Sequence, residues 1–256
     1  MNKNNFQSRL SALIFLTALL LLGGCSAIPE KSPDEEPPQR SAEKILNDGE
    51  EFVIDVYDPF EGFNRSMYRF NYGFDRHIFL PVVNAYDYIT PVPVQKGISN
   101  FFDNLLEIRN ILNSALQLKP KPTATSTARL VINTTIGILG FSDPASKMGL
   151  LRHEEDFGQT LGRYGVGNGP YLVLPILGPS NLRDAGGLLV DTAIMREIDP
   201  FDLDGSNSDW EVPYYLLNAI DTRHQVKFRY YDTGSPFEYE LLRLLYTKKR
   251  KLEIAK

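Results

Sequence analysis

Asp58-Pro59-Phe60-Glu61-Gly62-Phe63-Asn64-Arg65, continued through Phe70-Asn71 and Asp75 to Ile78, decides how the folded part of this chain is built. Pro59 suits a first helical position, Asp58 before it an N-cap, and Glu61 the far side of a capping box. Apolar residues follow at Phe60, Phe63, Met67, Phe70, Phe74 and Ile78. Spacings of three and four mark one stripe of a helix. At about 100° per residue two further stripes appear. Asn64, Asn71 and Asp75 run beside the aromatic stripe, and Arg65, Arg69 and Arg76 run along the opposite side. Gly73 weakens such a helix by roughly 1 kcal/mol relative to Ala, which calls for a packing or hinge role. The pattern admits two readings. One is an amphipathic core helix with a solvated basic face; the other is a helix facing lipid on one side and polar groups on another.

Working outward, the break at Pro91-Val92-Pro93 precedes a second helix. It carries Val94, Ile98, Phe101, Leu105, Ile108, Leu112 and Leu116, with Asn100, Asn104, Asn110 and Asn113 between them. Pro120 and Pro122 are expected to end it. A third helix is expected from about Thr125 to Leu139, closed by Gly140, and Asp143-Pro144 starts a short turn. Gly158, Gly162, Gly165, Gly167 and Gly169 read as a loop. Tyr171 to Leu177, broken by Pro175, suits a hairpin arm rather than a central strand. Ser180 offers the N-cap of the next helix. Two capping boxes follow, at Ser208/Glu211 and at Ser235-Pro236-Phe237-Glu238. The fold class is therefore mostly α, with about six or seven helices and a short Gly-rich hairpin or loop.

The N-terminus has a different character. Lys3 and Arg9 precede an apolar run from Leu10 to Leu22 and then Gly23-Gly24-Cys25. A basic n-region, a short apolar stretch and small residues make a secretory signal over residues 1–24. The placement of the chain's one Cys resembles the bacterial lipobox, in which that Cys is acylated. Ser26 follows it, not the Asp associated with inner-membrane retention, which by the same resemblance puts the anchor in the outer membrane, facing the periplasm. Residues 25–51 alternate Pro with Glu and Asp and read as an extended tether. Residues 52–256 then form one helical domain with a basic C-terminal end. Hydrophobic residues at 43% supply a real core. A net charge of −5 argues against nucleic-acid binding.

No catalytic or cofactor site is called for. Gly178-Pro179-Ser180-Asn181-Leu182 lacks the second Gly of a nucleophile elbow. Pro170 stands where a dinucleotide fingerprint needs Gly. His153-Glu154-Glu155-Asp156 reads as a solvated acidic loop rather than a metal site. Asp202, Asp204, Gly205 and Glu211 match part of a calcium loop, but Pro200 replaces its first carboxylate.

These segments together resemble the VacJ/MlaA family of outer-membrane lipoproteins. The resemblance rests on the Asp58–Arg65 run with Phe70-Asn71 and Asp75, on Gly97-Ile98-Ser99-Asn100-Phe101-Phe102-Asp103-Asn104-Leu105, and on Arg129-Leu130-Val131-Ile132-Asn133-Thr134. It is most specific in Asp156-Phe157-Gly158-Gln159-Thr160-Leu161-Gly162, Tyr164-Gly165-Val166-Gly167, Gly169-Pro170-Tyr171 and Leu182-Arg183-Asp184. It implies a ring of helices lodged in the inner leaflet of the outer membrane. An amphipathic channel in that ring would pass mislocalised phospholipid toward a periplasmic lipid-carrier protein, with a trimeric porin holding the ring. Cys25 would carry the anchor. Asn64, Arg65, Phe70, Asn71 and Asp75 become lipid-channel candidates. Gly165, Gly167, Gly169 and Tyr171 become gate or hinge candidates within a mobile Tyr164–Leu177 hairpin. A structural or virulence-associated lipoprotein, or a phospholipid-modifying enzyme, are the alternatives.

Overall fold

The computed structural model describes residues 56–200 and 210–256. The signal segment, Cys25, the acidic tether and most of the calcium-loop match lie outside the described residues. The described chain is mostly helical. Helix α1 (Glu61–Phe74) runs through a π turn (Asp75–Phe79) into α2 (Leu80–Ile89). Extended backbone at Thr90 and Pro91 leads to the long α3 (Val92–Leu116), which packs against α4 (Pro120–Thr135). The one-turn α5 (Pro144–Lys147) and α6 (Phe157–Arg163) precede an antiparallel hairpin, β1 (Tyr171–Leu174) and β2 (Gly178–Asn181). Helices α7 (Leu182–Ile198), α8 (Glu211–Gln225) and α9 (Glu238–Ala255) complete the fold.

Several boundaries differ from the sequence reading for local reasons. Pro120 begins α4 instead of ending α3, because proline fits a first helical turn whose N–H groups have no partner anyway. Helix α4 stops at Thr135, short of Leu139, since Ile138 and Leu139 take positive φ before Gly140. Asp58 does not cap α1; Phe60 occupies the N-cap and the Asp58 carboxylate turns inward. Asn181, not Ser180, caps α7 by accepting from Asp184 N. Glu238 does not close a capping box on Ser235; its carboxylate accepts from the N–H groups of Tyr231 and Thr233.

Two expected loop glycines, Gly158 and Gly162, are helical and belong to α6. Close packing outweighs their low helix propensity. A Cβ on Gly187 of α7 would lie 2.4 Å from the backbone nitrogen of Gly158, so the two helices cross at glycine–glycine contact. Asp156 caps α6, its carboxylate accepting from Gln159 N at 2.8 Å.

The interior inverts the usual arrangement. Asn64 and Glu107 are 0% exposed, and Asn110, Asn113, Arg129, Asp221 and Glu240 are also buried. Tyr88 is 92% exposed and Leu118 81%, with Ile89, Ile138, Leu189 and Trp210 similarly open. The aromatic stripe of α1 follows suit. Phe60, Phe63, Phe70 and Ile78 are exposed while Asn64, Asn71 and Asp75 are buried. Exposed apolar surface on this scale is costly in water at roughly 25 cal/mol per Å². It is favourable against lipid tails. No described helix is long and apolar enough to cross a membrane. The apolar core that does exist is aromatic, centred on Tyr68, which meets Tyr230, Tyr231 and Tyr239 edge-on.

Candidate functional site

The polar stripe of α1 holds the hairpin. Asn64 Nδ2 donates to Tyr171 O at 3.0 Å and Val173 N donates to Asn64 Oδ1 at 2.8 Å. Two helical turns on, Asn71 Nδ2 donates to Leu174 O at 2.9 Å and Ile176 N donates to Asn71 Oδ1 at 2.7 Å. A carboxamide presents a C=O acceptor and an N–H donor side by side, as a strand's edge does, and the second N–H of Asn64 is left for Asp58. The two asparagines thus do for β1 what a neighbouring strand would do, and Tyr57 O takes the Tyr171 N–H at 3.1 Å. Beyond Leu174 the tip Pro175-Ile176-Leu177 turns sharply. Ile176 has φ +66°, a strained conformation for a β-branched residue.

Behind the hairpin, α9 supplies the counter-charges. Buried Asp58 accepts from Asn64 at 2.7 Å, from Arg243 at 3.1 Å and from the Tyr239 hydroxyl. Arg65 pairs with Glu61 at 2.6 Å and with Glu240, and its guanidinium lies 4.4 Å over the Tyr239 ring. It faces this network rather than solvent. Farther along, Arg250 bridges Asp156 (2.7 and 2.8 Å) and Asp184 (2.8 and 3.1 Å) beneath the Gly158–Gly187 crossing. Burial opposes ionisation of both carboxyls, yet the bonds and charge from Arg250 hold them below the usual carboxylate range. The His153–Asp156 stretch is therefore no solvated loop. Glu155 is buried against Lys119 at 3.0 Å, and Asp156 caps α6 and pairs with Arg250.

In front of the hairpin tip lies a mostly apolar cavity of about 540 Å³. The end of α1 and the π turn give it Asn71, Phe74, Asp75 and Phe79; the tip gives Ile176 and Leu177. Helix α8 and the segment after it close the other side with Tyr215, Arg223 and Phe228. Asp75 and Arg223 are the charged residues on this wall, among the described residues. Arg223 Nε donates to Asp75 Oδ1 at 2.5 Å and Nη2 to Oδ2 at 2.8 Å. The Asp75 bond holds the Arg223 guanidinium above its ordinary pKa, and burial pushes the nearby Tyr230 phenol up to about 12.

Of the residues singled out from sequence, Asn71 and Asp75 line this cavity. Asn64 sits behind β1, and Phe70 is half-exposed and stacks on Phe74. Gly165 and Gly169 adopt positive φ in the approach to β1, whereas Gly167 does not. Tyr171 is buried in the aromatic core. A Cβ on Gly73 would meet nothing within 4 Å, so close packing does not require the glycine; it directly precedes Phe74 and the π turn. Arg223 carries no signal of its own in the sequence: it stands in a region without recognisable motif, 148 residues from the Asp75 it pairs with. Among the described residues no group of three or more His, Cys, Asp or Glu could hold a metal ion.

The comparisons match this architecture. An uncharacterized Rickettsia prowazekii protein is 44% identical over 174 residues, covering 68% of this chain and 67% of its own. The intermembrane phospholipid transport system lipoprotein MlaA of Shigella flexneri is 44% identical over 173 residues, 66% of each chain. A solved structure described as the structural basis for maintenance of bacterial outer membrane lipid asymmetry superposes with a TM-score of 0.63 at 34% identity. It covers 78% of this chain and all of the solved one. The family model described as MlaA lipoprotein matches residues 56–253, which takes in both the asparagine-clamped hairpin and the arginine-bearing α9. A polar interior, an apolar exterior and a lined cavity are thus the form that these residues take in a chain that belongs to the MlaA lipoprotein family.

Proposed function

We propose that this chain removes phospholipid mislocalised in the outer leaflet of the outer membrane and passes it toward a periplasmic carrier. The observation that carries this reading is the apolar-walled cavity with the Asp75–Arg223 ion pair on its wall, set in a body with many exposed apolar side chains. Acyl chains find Phe74, Phe79, Ile176 and Leu177, while a headgroup finds Asp75 and Arg223. The relatives named for intermembrane phospholipid transport support the same assignment. The body lies in one leaflet, held by acyl chains on Cys25 and by a trimeric porin against its apolar flank. Passage out of the wrong leaflet is downhill, so the body is not an enzyme and needs no hydrolytic set or cofactor. The hairpin tip is the gate. The strained Ile176 and its suspension from Asn71 favour a tip with more than one stable position.

Surface phospholipid in living cells tests this. A strain lacking the protein is complemented with the parent, with Cys25→Ser, or with a variant whose hairpin tip is joined to the α8 wall by an engineered disulfide. Labelling of outer-leaflet phospholipid is expected to be low with the parent alone. Reductant is expected to restore clearance by the crosslinked form. Equal labelling with and without the parent protein ends the transport reading. Clearance by the oxidised, crosslinked form at the parental rate ends the gate.

A further inference from the structure

We propose that the Asp75–Arg223 pair is an exchange site for a zwitterionic headgroup, selecting phospholipids whose phosphate is followed by a primary ammonium. This rests on the lipid-passage reading of the cavity. An arginine fork binds a carboxylate and a phosphate with the same two-bond geometry, so Asp75 occupies the place that a phosphodiester would take. Arg223 stays oriented when Asp75 is displaced. Its Nη1 also donates to Val226 O at 2.7 Å and its Nη2 to Phe228 O at 3.1 Å. The guanidinium is therefore already aimed for an anion.

Displacement creates a second requirement. Asp75 is 5% exposed on a mostly apolar wall, and among the described residues no other charged side chain lines the cavity. A phosphate alone on Arg223 would leave that carboxylate buried without a counter-ion, a strongly unfavourable state. A headgroup that brings its own ammonium resolves this: phosphate on Arg223, ammonium on Asp75, with charge balanced before, during and after. A glycerol headgroup brings the phosphate but no cation. The pair thus discriminates by the charge it leaves uncompensated, the form of specificity that rejects a ligand rather than merely favouring one. Asp75 sits in the π turn, where local irregularity of the helix often marks function.

The test uses the full-length acylated protein in detergent, exposed to vesicles of equimolar phosphatidylethanolamine and phosphatidylglycerol, re-isolated, and its bound lipid quantified by mass spectrometry. The parent is expected to enrich the ethanolamine lipid about tenfold, the scale of one charge-assisted hydrogen bond. Asp75→Asn should still bind lipid but lose the ethanolamine preference and tip toward the glycerol lipid, whose single charge then balances Arg223. Arg223→Gln should lower both lipids together. Should either single variant fail to fold, the double variant Asp75→Asn/Arg223→Gln leaves no charge unpaired and is expected to show parity. Tenfold enrichment surviving in Asp75→Asn or in the double variant overturns the proposal. Lipid on the parent without headgroup preference overturns it too while lipid passage stands. A parent that takes up no lipid removes the passage reading and this inference with it.

Discussion

Arg250→Met is expected to lower the unfolding midpoint by about 10 °C, a loss of about 3 kcal/mol from breaking a buried ion-pair cluster at one partner. Arg250 joins α9 to both the cap of α6 and the first turn of α7. Methionine fills much of the same volume but leaves Asp156 with its Gln159 N–H, and Asp184 with Arg183, Asn181 and Tyr246. The pH dependence separates charge from packing. In the parent both carboxyls have depressed pKa values. Their contribution is complete above the unfolded value of about 3.9 and is lost as pH falls through the lower folded value. The variant keeps only the smaller contribution of the Gln159, Arg183, Asn181 and Tyr246 bonds and has less to lose, so the gap between the two proteins should narrow on acidification below about pH 4. Melting curves from pH 7 to pH 3 measure this. A gap independent of pH would mean that Arg250 acts through packing alone.

Asn64→Leu should free the hairpin. It deprives Val173 N–H, Tyr171 C=O and one Asp58 oxygen of their partners in a fully buried site. At about 1–3 kcal/mol for each group left unsatisfied, a total near 4 kcal/mol is expected once relaxation is allowed. Asn71→Leu removes two bonds nearer the tip and should cost about half as much. Hydrogen exchange reads the local effect directly. The Val173 amide should lose protection in the first variant, and the Ile176 amide in the second. Both should impair outer-membrane integrity under detergent and chelator at parental protein levels. Unchanged exchange at Val173 in Asn64→Leu would mean that β2 alone holds β1.

The helical character of the chain, its break at Pro91 and a hairpin arm beginning at Tyr171 were legible from spacing and punctuation, which act through neighbours in sequence; that the arm stops at Leu174 and Pro175 opens the tip to a second arm at Gly178–Asn181 was not. So was the division of α1 into aromatic, polar and basic stripes. Which stripe faces inward was not legible. Periodicity reports that faces differ, and the usual assumption that the apolar face is buried holds only when water is the solvent. Here Asn64 and Asn71 turn in and Phe63 and Phe70 turn out. The Gly-rich segment misled for a related reason. Gly158 and Gly162 look like helix breakers by propensity, yet Gly158 lies against the Gly187 backbone of α7 and the Asp184 carboxylate, and a Cβ on Gly162 would displace the Ile254 side chain of α9. Propensities of about 1 kcal/mol yield to such packing.

The motifs located half of each polar centre around the hairpin, its cavity and α9, and the other half came from the last forty residues. Asp58, Asp75, Asp156 and Asp184 stand in recognisable runs; their partners Arg243, Arg223 and Arg250 stand in a region that reads as ordinary helix. A carboxylate in a motif announces that a counter-charge is needed but carries no record of where the chain will supply it. Local order, which depends on residues three or four apart, could be read along the chain. Pairings across a hundred residues or more, the inward turn of the polar stripe and the cavity they enclose arise only when helices from both ends pack together, because burial makes each unpaired charge too costly to leave alone.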